Sequence, residues 1–67
     1  MNTKDIRRLE RMVAAAYALA DRMGECQRAG LIGEWNGTNR TATLRDDIKE
    51  LAGWFEQRVA DERGKTL

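Results

Sequence analysis

The chain has 67 residues, twelve basic and eleven acidic, with a net charge of +1, no proline, no histidine and one cysteine. That length allows one small domain spanning 1–67. The balanced charge is not the basic footprint of a nucleic-acid binder. Cys26, alone and without histidine, provides neither an intrachain disulfide nor a zinc site. No metal or cofactor is expected. A core this small rarely supplies more than about 3–5 kcal/mol unless a disulfide, a metal or oligomerisation adds to it. Only oligomerisation remains.

The residues predict a first helix over about 3–29. Asn2 or Thr3 caps it, and Asp5 sits in the first turn, where the positive end of the helix dipole favours a carboxylate. Ile6, Leu9, Val13, Ala16, Ala20 and Met23 form one apolar stripe, and Leu9, Met12, Ala16, Leu19, Met23 and Cys26 form a second. A helix with two apolar stripes needs two neighbours. The alanines at 14, 15, 16, 18 and 20 allow another helix to pack closely. Gly24 costs about 1 kcal/mol inside a helix and marks either a weak point or a close approach. The helix is expected to end with Gly30 in the left-handed position and Leu31 folding back as a hydrophobic contact.

Lys4, Arg7, Arg8 and Arg11 make a basic ridge near the N-terminus, where positive charge opposes the dipole. In a hairpin, Glu56, Asp61 and Glu62 at the end of the second helix are expected to answer it; an acidic partner or phosphate are the alternatives. The longest uncharged run here, Met12 to Ala20, is nine residues, about half a membrane span, and no signal-type cleavage site follows. A soluble cytoplasmic protein is therefore the expectation.

Residues 30–42 read as a loop, with Gly30, Gly33, Gly37 and an Asn36-Gly37 turn signal. It is long against the about 2–8 residues that usually join helices, which draws attention to Ile32, Trp35 and Arg40. The two Asn-x-Thr triplets within it are read as loop chemistry rather than as glycosylation sites. A second helix is predicted over about 43–62, with Thr43-Leu-Arg-Asp46 as a capping box and Thr41 as the alternative cap. Its apolar face is predicted to be Leu44, Ile48, Leu51, Phe55 and Val59, ending at Gly64. Trp54 points about 100° away from Phe55, so it is either at a subunit interface or partly exposed.

Catalysis is not expected. Adjacent Asp46 and Asp47 diverge on a helix, Asp46 and Glu50 make an ordinary solvated face, and Cys26 has no base to activate it. The glycine-containing loop follows a helix and lacks the Gly-Lys-Ser/Thr ending of a P-loop. An anion can be envisaged at the start of the second helix, among Arg40, Thr41, Thr43 and Arg45.

The expected architecture is all-α: a two-helix antiparallel hairpin dimerising into a four-helix assembly through Met12, Ala16, Leu19, Met23 and Trp54. In size and layout the chain is similar to the plasmid-encoded Rop type of RNA-binding hairpin dimer. The similarity is one of architecture, with a longer loop here and no shared motif. It implies a nucleic-acid-binding alternative that the charge balance does not favour. The leading expectation is a small non-enzymatic homodimer that docks on a host or cellular protein. Its profile resembles that of phage or plasmid accessory proteins that inhibit or modulate a regulatory or defence protein. Arg7, Arg8, Arg11, Trp35, Arg40 and Trp54 are the candidate contacts. A small anionic ligand or nucleotide at the loop and second-helix start is a further alternative.

Overall fold

The computed structural model describes residues 1–33 and 40–66. They form two helices, α1 (Thr3–Arg28) and α2 (Thr41–Thr66), packed against each other as an antiparallel hairpin. Arg63 of α2 meets Glu10 near the start of α1, and Arg45 near the start of α2 meets Gln27 at the end of α1.

Both ends of α1 are closed by local chemistry. The Asn2 side chain accepts the Asp5 N–H at 2.8 Å, satisfying one of the free donors of the first turn. At the other end Gly30 has φ +74°. The Gly30 N–H bonds to the Gln27 carbonyl, and the Leu31 N–H bonds to the Cys26 carbonyl at 2.9 Å. This pair of bonds is the Schellman arrangement. The hydrophobic contact expected to accompany it is not made: the Leu31 side chain is 74% exposed.

α2 departs from expectation at both ends. It begins at Thr41, two residues earlier than predicted, so Thr43 lies inside the helix and is no cap. Thr41 does not cap either: its hydroxyl donates to the Gly33 carbonyl at 3.1 Å, tying the loop down. At the far end the helix runs through Gly64 to Thr66. Arg63 and Lys65 in the last turn suit the negative end of the dipole, and the pairing of Arg63 with Glu10 holds that turn to α1.

The seam between the helices is narrow and mixes small residues at its middle with larger ones toward its ends. α1 buries Ile6, Val13, Ala20 and Gly24, part of its first predicted stripe. On α2, Thr41, Arg45, Ile48, Ala52, Phe55, Val59 and Glu62 are buried or half-buried positions of the seam, with Gly53 half-buried beside Tyr17. The seam positions step four and three alternately, the 3.5-residue repeat of paired helices. The predicted face of α2 therefore needs correction. Ile48, Phe55 and Val59 belong to the seam, whereas Leu44 and Leu51 lie beside it and are exposed. Ala52, fully buried, takes the central position. A leucine in its place would hold the backbones apart.

The result is long and thin, 47 × 16 × 15 Å, with a radius of gyration of 14.9 Å. A compact domain of this length would have a radius near 11 Å. Among the described residues, no large side chain is fully buried, and no helix is long and apolar enough to cross a membrane.

Candidate interaction surface

Each helix of a hairpin has two flanks beside its seam. On α1, Glu10, Ala14 and Tyr17 form one flank and Leu9, Met12, Leu19 and Met23 the other. The first flank shares a cleft of about 360 Å³ with Glu56 of α2, and Glu10 of that flank pairs with Arg63. The opposite flanks must then share the other side of the molecule. That side carries Met12 and Leu19 from α1 and Leu44, Leu51 and Trp54 from α2, all exposed. Leu9, Met23, Ile48 and Phe55 are half-buried along its floor. Leu19 is 51%, Leu51 46% and Trp54 61% exposed. The Trp54 ring stands edge-to-face on Phe55, with centroids 4.8 Å apart and planes at 78°. An aromatic pair of this kind is worth about 0.5–1.5 kcal/mol and fixes the indole on the open face.

The expected copy-to-copy contacts Met12, Leu19 and Trp54 thus all lie open on this face, with Ala16 and Met23 half-buried at its edge. The sequence reading missed Leu44 and Leu51, which it assigned to the seam. Their seven-residue spacing, with Trp54 three further on, was the available signal.

The amount of uncovered surface is measurable. The chain exposes 5134 Å², whereas a compact monomer of its mass would expose about 4,300 Å². The excess, roughly 800 Å², goes with the elongated shape of the hairpin.

The basic ridge lies on the outward side of α1. Arg8 pairs with Asp5 at 3.3 Å. Among the described residues, Lys4, Arg7 and Arg11 make no ion pair. The expected answer from Glu56, Asp61 and Glu62 is not made. Asp61 accepts from Gln57 at 3.2 Å. Glu62 turns into the seam, where it meets the Met1 ammonium at 3.4 Å, Arg58 at 3.3 Å and Lys65 at 3.7 Å. Partial burial raises the Glu62 pKa, but the hydrogen bond from the N-terminal ammonium, the Lys65 charge and the Arg58 hydrogen bond together hold it below its ordinary value. The Glu62 carboxylate is engaged by the chain's own N-terminal ammonium and by α2's own cations. Beyond the ridge, Ala14, Ala15 and Ala18 leave the outer surface of α1 smooth and exposed.

Of the remaining candidates, Arg40 is exposed just before α2, and Trp35 lies outside the described residues. The anion constellation at the α2 start is not assembled. Arg45 leans back to Gln27 at 3.0 Å, Thr41 is engaged with Gly33, and the small cleft holding Arg40 and Thr43 also holds the Asp47 carboxylate. The Arg45 Nε–H is buried without an acceptor among the described residues, a penalty of about 1–3 kcal/mol for such a group. Gly24 is a close approach rather than a weak point: a methyl there would lie 3.3 Å from Arg45 Nη1.

Against known proteins, the chain matches no protein-family model, no curated protein and no solved structure.

Proposed function

We propose that the protein is a non-enzymatic protein-binding module that works as a homodimer, two hairpins joining their apolar faces into a four-helix assembly. The observation that carries this reading is the wet face of Met12, Leu19, Leu44, Leu51 and Trp54. Pairing of two copies covers the leucines and the indole and gives each thin hairpin the second layer that a helical domain needs. The outward ridge of Lys4, Arg7 and Arg11 stays free in that assembly and is the surface offered to an acidic patch on a cellular protein. Binding there alters the activity of the partner, as a small accessory protein without chemistry of its own would do.

The experiment separates the two surfaces. Arg7→Glu with Arg11→Glu is expected to leave the dimer intact by sedimentation and to abolish partner capture by affinity purification and mass spectrometry. Leu19→Glu is expected to break the dimer. If the charge-reversed protein still retains its partners, the ridge is not the docking surface. If the ridge instead captures RNA, with affinity falling steeply in salt, the partner class is wrong.

A further inference from the structure

Arg28 and Arg45 come from different helices and converge on one glycine. A β-carbon built on Gly24 would lie 3.3 Å from Arg45 Nη1 and 3.4 Å from Arg28 Nη1. Two guanidinium groups therefore rest on the same bare stretch of α1 backbone. Like charges repel, and such a convergence calls for an anion or a carboxylate between them. Little among the described residues supplies one. Arg45 Nη1 donates to the neutral Gln27 amide oxygen at 3.0 Å, and its buried Nε–H meets no acceptor among the described residues. Among the described residues, the carboxylate that reaches Arg45 is Asp46, 4.0 Å from Nη2 and mostly exposed. Arg28 makes no ion pair among the described residues, and its neighbour Glu25 is taken by Arg22 at 3.2 Å.

We propose that Arg28 and Arg45, with Gly24 as floor, form a binding site for a phosphate dianion, either inorganic phosphate or a phosphomonoester. Each guanidinium is a planar fork of donors suited to two oxygens of a tetrahedral oxyanion. Two positive charges select a dianion over a single carboxylate. The absent side chain at Gly24 lets both guanidinium groups sit low enough to share one ligand. Arg28 lies three turns beyond Tyr17 on the polar flank of α1, away from the apolar face. The site is therefore open in a monomer and in the proposed dimer alike.

The test is a titration of the intact protein followed by amide NMR at constant ionic strength, with sodium phosphate, sodium chloride and adenosine monophosphate as separate arms. Saturable shifts of the Gly24, Arg28 and Arg45 resonances are expected with phosphate and not with chloride. Tighter saturation by adenosine monophosphate assigns the phosphate to a nucleotide; equal affinity makes the bare oxyanion the ligand. Arg45→Gln and Arg28→Gln are each expected to weaken binding at least tenfold, the usual scale of a charge-assisted hydrogen bond. Arg28 is exposed and unpaired, so its variant keeps the fold, which far-ultraviolet circular dichroism checks. Shifts that never saturate, that chloride reproduces, or that persist unchanged in Arg28→Gln overturn the proposal.

Discussion

Replacing Leu19 and Leu51 together by alanine tests the homodimer where its energy should reside. Each side chain is about half uncovered in the hairpin, 51% and 46%. Burying a whole leucine is worth about 1.5–3 kcal/mol, so about 1 kcal/mol per side chain is left for association. A twofold dimer contains each position twice, which gives about 2 kcal/mol per substitution and about 4 kcal/mol for the pair. At 1.4 kcal/mol per tenfold, the dimer Kd should rise close to a thousandfold. The two residues lie on facing helices, so their effects need not add fully, and coupling of about 0.5 kcal/mol or more is usual between neighbours. Alanine is a strong helix former, so helix content should persist. Sedimentation equilibrium over a range of concentrations reads the change, with melting followed in parallel because a dimer's midpoint depends on dilution. A wild-type protein that is monomeric at micromolar concentration with dilution-independent melting would refute the reasoning. So would a double variant whose Kd stays within threefold of the parent.

Three further outcomes follow from local geometry. Asn2→Ala should cost about 1 kcal/mol in urea unfolding, because the Asp5 N–H loses its side-chain acceptor. Gly53→Ala should stabilise by up to about 1 kcal/mol, since a β-carbon there meets only the Tyr17 hydroxyl at an ordinary 3.7 Å and helix propensity improves; a loss of stability would contradict the observed spacing. Glu62 has a folded pKa below its ordinary 4.5, so its contribution to stability is present above that value and is lost as pH falls through it toward the depressed one. Acid unfolding of Glu62→Gln should accordingly be less steep below pH 4.5 than that of the parent; identical profiles would remove Glu62 from the account.

Much of the local structure was legible in the residues. Asn2, Asp5 and Gly30 act within a few positions of themselves, through caps and a left-handed turn whose chemistry does not depend on distant parts of the chain. Ile6, Val13 and Ala20 were readable for a related reason: a seven-residue spacing keeps one face of a helix turned to a neighbour. Position 24 was readable as a glycine with a purpose, although not as the floor beneath two arginines.

α2 was harder because its apolar residues occupy two adjacent lines. Leu44 and Leu51 compete with Thr41 and Ala52 for the seam, and hydrophobicity alone prefers the leucines. Packing against α1 decided otherwise: Ala52 is fully buried in the seam, while Leu44 and Leu51 stay exposed beside it. That choice moved the larger side chains to the open face and made it a surface. The fates of Glu62 and Arg45 were likewise tertiary, since each depends on groups far away in sequence: the Met1 ammonium for one, Gln27 and Gly24 for the other. The sequence by itself determined the two helices, the ends of α1 and the hairpin, because those follow from propensity, capping and periodicity. Only the tertiary structure decided which apolar line was covered and which charges met, because both turn on how closely two backbones can approach.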